Sequence, residues 1–194
     1  MKDINKSLNS WLEELNQFEL TQYEKLPDID LYMDQVITYL ERQLMTFSLS
    51  SMDKLITSSM INNYVKGEVI PAPNAKRYNK EHIALILEVC LLKKVLSISN
   101  IKEILDASYK DEDFTKTYNK FVTDVATSLH EVSDLAKDKL DNIDTNDQKA
   151  LLNLALSLGL KANAYILVAE RIIDYIRIHN DLAGINTEKT PTEE

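Results

Sequence analysis

Glycine and proline are scarce in this sequence, and their scarcity limits what the chain can fold into. The 194 residues include three glycines and four prolines, too few for the many tight turns of a fold made of short strands. Leucine, lysine, glutamate, isoleucine and alanine recur at the spacing of helical faces. The sequence therefore predicts an all-α protein.

The size and chemistry of the chain are those of an intracellular globular protein. With 44% hydrophobic residues, it can form one large domain or two small ones, each with a core. The single cysteine, Cys90, lies in an apolar run and excludes an internal disulfide, which suits a reducing compartment. We recognise no signal peptide and no 18-residue window that stays apolar. We therefore expect a cytoplasmic protein with no membrane partner.

Apolar spacing and turn residues predict three helices in the first third of the chain. Asp28 or Asp30 is suited to cap the second helix, and Gly67 to end the third. The predicted elements are helices over 7–20, about 31–44 and about 55–66, with a loop at 48–51 and a turn inside the third helix at 57–59. The first helix is expected to place four apolar residues on one side: Trp11, Leu12, Leu15 and Phe18.

The segment 69–78 is predicted to be extended. Pro71 and Pro73 fix two φ angles and remove two hydrogen-bond donors, so the segment is an extended loop or a small β wing. Asn79 then resembles the N-cap of a helix with a strongly apolar side. The polar stretch 97–100 separates this helix from a shorter one.

The second half of the sequence is more acidic and is also predicted to be helical. The acidic residues 111–113 favour a helix N-terminus. A heptad pattern in the last helix includes Leu151, Ala155, Leu158, Ala162, Tyr165, Ala169, Ile172 and Ile176. This face could pair across a two-fold axis or pack against residues 112–140. Because this apolar face is wider than a two-stranded seam, we expect most of it to pack within the chain. We also expect a homodimer through the C-terminal helices.

Four stretches in the order helix, extended segment, helix, turn and helix resemble the winged helix of the mercury-resistance-regulator superfamily. They are MINNYVK at 60–66, VIP at 69–71, KRYNKEHI at 76–83 and ISNIKEIL at 98–105. From about residue 26 to 105, the chain resembles still more closely the bacterial domain-of-unknown-function family 1836.

This resemblance implies a DNA-binding transcriptional regulator. The implied organisation is an N-terminal helical extension (1–25), a winged helix-turn-helix module (26–108), a C-terminal helical bundle or hairpin (109–184) and a disordered tail (185–194). The residues implied to contact double-stranded DNA are Ser58, Ser59, Asn62, Asn63, Tyr64 and Lys66 in the helix, and Lys76, Arg77 and Tyr78 in the wing.

The sequence departs from the superfamily pattern in the helix expected to read DNA. Asn62 stands in place of the usual arginine, Asn63 in place of the first tyrosine, and the glycine is displaced to Gly67. The polar face around Asn62 and Asn63 could enter a major groove or be an ordinary solvated face with Tyr64 packed on the wing. Similarly, Lys76 and Arg77 could hold phosphates or only solubilise the loop, with Tyr78 buried beneath them.

Charge leaves two classes of function open. The formal net charge is −9, yet residues 54–102 carry eight basic and three acidic side chains. Because the distribution of charge matters more than its total, this segment favours DNA binding. The alternative is a helical adaptor that uses the winged scaffold to bind protein, which the overall charge and the missing arginine favour.

No pattern in the sequence indicates catalysis or a cofactor. The three histidines, His82, His130 and His179, are far apart and have no second ligand at metal spacing, so surface or capping roles are expected. The acidic run 141–147 lacks the glycine and the glutamate of an EF-hand loop and is predicted to be a turn between helices. We therefore predict a protein that is not an enzyme and that binds no metal or cofactor.

Overall fold

The structure is a computed structural model that describes residues 4–47 and 55–187, with side chains described as far as residue 180. It is predominantly helical, as the sequence predicts. The helices are α1 (Ile4–Asn16), α2 (Met33–Gln43), α3 (Ser58–Lys66), α4 (Lys80–Leu92), α5 (Ile98–Tyr109), α6 (Phe114–Asp141) and α7 (Gln148–Thr187). Two short strands, β1 (Leu31–Tyr32) and β2 (Arg77–Tyr78), form an antiparallel pair.

The first three helices begin at other residues than the sequence predicts. Helix α1 lies over Ile4–Asn16 instead of 7–20, and Trp11, expected on its apolar side, is 43% exposed. Helix α2 is not capped by Asp28 or Asp30, because strand β1 intervenes and the Tyr32 amide donates to Gln35 Oε1 at 2.9 Å.

Helix α3 begins at Ser58, since Thr57 Oγ1 accepts from the Met60 amide at 3.3 Å. The prediction of a helix from residue 55 with an internal turn at 57–59 is therefore wrong. The predicted loop at 48–51 lies outside the described residues.

Capping hydrogen bonds confirm the predicted starts of α4 and α6, whereas α5 begins inside the polar stretch 97–100 that the sequence predicts to separate two helices. The Asn79 side chain accepts from the His82 amide at 3.0 Å at the start of α4. Ser97 Oγ accepts from the Asn100 amide at 3.1 Å at the start of α5. Asp113 Oδ1 accepts from the Lys116 amide at 2.8 Å at the start of α6. Each cap satisfies a backbone donor that has no partner within its helix.

The segment predicted to be extended is confirmed, and it includes β2. Leu31 pairs with Tyr78 and Tyr32 with Arg77. Before β2 the chain reverses in a tight turn, in which the Arg77 amide donates to the Asn74 carbonyl at 2.8 Å. Strand β2 therefore leads directly into α4 while it is fixed to the residues that precede α2.

Helix α4 forms the centre of the core. All residues from 82 to 90 are buried, as expected of a helix that is apolar on nearly all sides. The core cluster joins α4 to buried residues of α2, α3, α5 and α6: Val36, Leu40, Ile61, Tyr64, Ile101, Leu105, Tyr118 and Val122. These helices bury their apolar faces together with α4.

The N-terminal segment packs along α6. Leu12 is buried in α1, and Glu13 forms an ion pair with Lys137 at 2.7 Å. Farther along α6, Asn119 Oδ1 accepts from the Tyr23 amide at 2.8 Å. Residues about 100 positions apart in sequence are thus joined, which no local sequence signal indicates.

Contacts divide the chain into one compact unit over 1–151 and a second over 152–194. Residues 142–147 form the predicted turn between α6 and α7, and Asp144 Oδ1 accepts from the Asn146 amide at 2.9 Å. Helix α7 continues to Thr187, and the remaining predicted tail, 188–194, lies outside the described residues.

Helix α7 is more apolar than the sequence analysis recognises. By length and composition, its residues 148–180 could cross a membrane, and the most apolar part of this stretch is not buried. The statement that no 18-residue window stays apolar is therefore wrong. The core helix of a soluble protein passes the same test, but such a helix is mostly buried.

One acidic side chain lies inside the core. Glu88, in the middle of α4, is 2% exposed, and its Oε1 accepts from the Tyr109 hydroxyl at 2.6 Å. Burial raises the pKa of this carboxyl group to about 7, although the hydrogen bond from Tyr109 lowers it. The protonated acid is thus favoured in the folded protein over the range in which an exposed glutamate is ionised.

Replacing Glu88 with glutamine should change how stability depends on pH. The folded protein holds the Glu88 proton more tightly than the unfolded chain, so the wild-type free energy of unfolding falls as pH rises from about 4.5 to about 7, by about 3 kcal/mol. Glutamine keeps an oxygen that can accept from Tyr109. Urea unfolding should find Glu88→Gln more stable than the wild type above neutral pH and similar to it at acid pH. An unchanged pH profile relative to the wild type would contradict this, and the exposed Glu112→Gln is the control.

Candidate nucleic-acid interface

Helix α3 presents a face that is entirely polar. The exposed residues follow a spacing of one, three, one and three, which places them on one side of the helix. They are Ser58, Ser59, Asn62, Asn63 and Lys66. The opposite side buries Ile61 and Tyr64 in the core. The structure therefore brings together five of the nine residues predicted from the sequence and holds them on a helix that is anchored by its apolar side.

The end of α3 is defined by backbone hydrogen bonds. The Gly67 amide donates to the Asn63 carbonyl at 2.9 Å, and the Val69 amide donates to the Tyr64 carbonyl at the same distance. Gly67 thus ends the helix as predicted, but its own φ is −82°. The left-handed conformation falls one residue later, on Glu68, with φ of 54°, where a side chain is less favourable than glycine.

The turn before β2 carries the two predicted wing cations. Ala75 and Lys76 both have left-handed φ angles, 47° and 63°, the arrangement of a type I′ turn. Lys76 is exposed in this turn. The Arg77 guanidinium donates to the Tyr32 hydroxyl at 3.0 Å and lies 5.1 Å from the centre of that ring. The sequence analysis does not identify Tyr32, because the two residues lie 45 positions apart and only strand pairing brings them together.

Two of the predicted site residues belong to the scaffold instead. Tyr64 is 4% exposed and Tyr78 is 3% exposed. Burial raises the pKa of both hydroxyl groups, and the Tyr78 ring meets the His82 ring edge-on at 5.6 Å. Their side chains are therefore not available to a nucleic acid, and the candidate interface consists of the seven exposed residues.

Only part of the basic excess in residues 54–102 is available for binding. Lys93 Nζ donates to the Leu55 carbonyl at 2.7 Å, and burial lowers the pKa of Lys93. Lys80 and Lys102 form ion pairs with Asp28 and Asp106, and Lys94 Nζ donates to the Phe47 carbonyl. Lys54 lies outside the described residues. Lys66 and Lys76 are both exposed in the described part of the chain.

One histidine caps a helix, and the other two are exposed. His82 is buried, and its Nδ1 lies 3.2 Å from the Asn79 amide, which completes the N-cap of α4. Burial lowers its pKa. His130 lies 3.3 Å from Asp134. Within residues 4–47 and 55–180, no group of three or more histidine, cysteine, aspartate or glutamate side chains is placed to hold a metal ion.

The fold and the candidate site define a helical protein with an exposed polar helix and a short basic β turn supported on one core. The model of the family described as "Domain of unknown function (DUF1836)" matches residues 21–121, slightly more than half of the chain. The chain belongs to this family. No curated protein and no solved structure matches it.

The matched segment is longer at both ends than the resemblance recognised in the sequence. It includes the first quarter of α6. Its two ends meet in space, since the Tyr118 hydroxyl donates to the Thr21 carbonyl at 3.2 Å. The start of α6 therefore closes the family's domain.

Proposed function

We propose that this protein is a DNA-binding transcriptional regulator that acts as a homodimer. The observation that carries the proposal is the face of α3, where every exposed side chain is polar while the opposite face is buried. A short helix anchored in this way is suited to enter a major groove as the second helix of a helix-turn-helix, with α2 as the first. The turn before β2 would serve as the wing.

The exposed side chains have the chemistry that such an interface needs. An asparagine can donate to N7 of an adenine and accept from the N6 amino group of the same base, so Asn62 and Asn63 would read bases. Lys66, Lys76 and Arg77 would contact phosphates, which position the protein without reading sequence. The stacking of Arg77 on Tyr32 fixes the guanidinium without removing it from solvent.

Helix α7 supports the dimer. Its exposed apolar side chains include Leu152, Leu156, Leu160, Tyr165, Leu167, Val168, Ile172, Tyr175, Ile176 and Ile178. Burying one aliphatic side chain of this size contributes about 1.5–3 kcal/mol. A second copy of α7 on the heptad face would cover three of them in each chain, Tyr165, Ile172 and Ile176. Their burial would offset the cost of bringing two chains together. Two modules on a two-fold operator would also bind more tightly than one.

The charge distribution of α7 favours a second protein chain over a bilayer. Lys161 lies in the middle of the apolar stretch, between Leu160 and Ala162. A lysine at the centre of a membrane-spanning helix costs about 2.5–3.5 kcal/mol. At the edge of a helix pair, the same side chain reaches water at no such cost.

The second candidate function is a helical adaptor that binds another protein, and the net charge of −9 favours it. Gel-shift titrations at several salt concentrations, with duplex DNA from the promoter of the protein's own operon and with random duplex, separate the two. The regulator binds the promoter more tightly than random DNA, with an affinity that falls steeply with salt. An adaptor binds neither duplex.

The double substitution Lys76→Glu with Arg77→Glu should weaken binding to all DNA sequences alike. In the wild type, these two cations would displace counterions from DNA phosphates. The dependence of log affinity on log salt should therefore become shallower in the variant, by about 0.9 for each lost contact. The measurement is the same gel-shift series. Lys110→Glu with Lys139→Glu changes the net charge equally at other exposed positions, and an equal loss in that control would contradict a specific role of the wing.

Replacing Asn62 and Asn63 with alanine should reduce discrimination between sequences. Each bidentate contact to a base contributes about 1–3 kcal/mol of discrimination against a wrong base. The ratio of affinities for selected and random duplex should therefore fall by about tenfold or more. Binding to random DNA should change little, because Lys66, Lys76 and Arg77 remain. Sites selected from a randomised library supply the specific duplex. Equal weakening on both kinds of DNA would show that neither asparagine reads sequence.

The substitution Ala162→Glu should dissociate the dimer. Ala162 is exposed within one chain and lies on the heptad face, so a charge there is tolerated in the monomer but not between two helices. Light scattering should show the wild type as a dimer at micromolar concentration and Ala162→Glu as a folded monomer with weaker promoter binding. Ala164→Glu, also exposed but off the heptad face, is the matched control. A monomeric wild type, or equal dissociation in both variants, would contradict the proposed interface.

A further inference from the structure

A cavity lies where α4, α5 and α6 meet, and its lining residues include none from α3. Its volume is about 680 Å³, within the range of small-molecule sites. The apolar part of its wall consists of Leu92, Ile104, Leu105, Ala107 and Phe121. All its lining residues belong to the compact unit over 1–151. The cavity can therefore be assigned without reference to α7.

The buried carboxylate of Glu88 lines this cavity. Its Oε1 accepts from the Tyr109 hydroxyl at 2.6 Å. The Tyr109 ring is itself stacked on Phe114, with ring centres 4.4 Å apart, so the hydroxyl that holds Glu88 is fixed. A carboxylate that is 2% exposed is costly to ionise in a core, and a cationic partner would offset that cost.

Charged residues occupy the rim of the cavity, with both signs present. They are Glu112, Lys116, Lys120 and Asp124, and Lys120 forms an ion pair with Asp124. The two lysines and the two rim carboxylates balance in formal charge, which leaves Glu88 as the acidic group at the wall. The ligand best matched to this wall has a positively charged donor at one end and an apolar body.

We propose that this cavity is a binding site for a small organic amine, whose ammonium group donates to Glu88 and whose apolar body packs against Leu92 and Phe121. A charge-assisted hydrogen bond in this sheltered place would be stronger than one at the surface. The ammonium group would also favour the ionised form of Glu88, whose pKa burial raises to about 7 in the empty site. Amine binding near pH 6 should then release close to one proton.

The test uses 2-phenylethylamine as the probe and 2-phenylethanol as its neutral counterpart, titrated into the full-length protein by calorimetry and followed by NMR. The amine should bind at least tenfold more tightly than the alcohol. Calorimetry in buffers of different ionisation enthalpy should show proton release with the amine and none with the alcohol. The measurement needs no DNA, so its failure would leave the proposed regulator function untouched.

Variants locate the site. Glu88→Gln should lower the affinity for the amine at least tenfold and remove the proton release, while Glu112→Gln at the exposed rim should leave both nearly unchanged. Ala107→Phe, an exposed wall position, should block the amine without altering the core. Equal affinity for amine and alcohol, amine binding that survives Glu88→Gln, or no amine binding at millimolar concentration would overturn the proposal.

Discussion

The burial of α4 on all sides is the constraint on which the rest of the structure depends. Residues 82–90 have no solvent-facing side, so α2, α3, α5 and α6 must enclose them with their own apolar faces. The enclosure sets the orientation of α3, because burying Ile61 and Tyr64 leaves only its polar face outside. It also buries Glu88, which disfavours the charged form of its carboxyl group. The candidate DNA interface and the proposed amine site are thus consequences of the same packing.

The pairing of β1 with β2 adds a second, more local constraint. It joins the residues before α2 to the residues before α4, and both helices contribute to the core. The pairing also brings Tyr32 beneath Arg77 and leaves Lys76 in a turn with two left-handed residues. Non-glycine residues hold such angles only where surrounding structure enforces them. Here the strand pair on one side and the N-cap of α4 on the other supply that enforcement.

Helix α7 differs from the helices around α4, because its apolar residues are distributed over more of its surface than a single helix–helix contact would cover. Exposed apolar side chains occur along its length from Leu152 to Ile178. A surface of this kind is rare in a protein that acts alone. The heptad pattern in the sequence accounts for one face of α7, but the exposed apolar surface of the helix is wider than that face. The proposed dimer therefore concerns the part of the surface around Ala162 and not the whole helix.

The sequence by itself determined the helical class, the extended segment at 69–78, the cap Asn79 and the helix start after the acidic residues 111–113, because these follow from local backbone preferences. It also identified the five polar residues that α3 exposes. Only the tertiary structure decided that Tyr64 and Tyr78 are buried, that Tyr32 supports Arg77, and that α1 packs on α6. Periodicity shows that a helix has an apolar face but not which distant segment covers it. Strand pairing and enclosure around α4 supply that information.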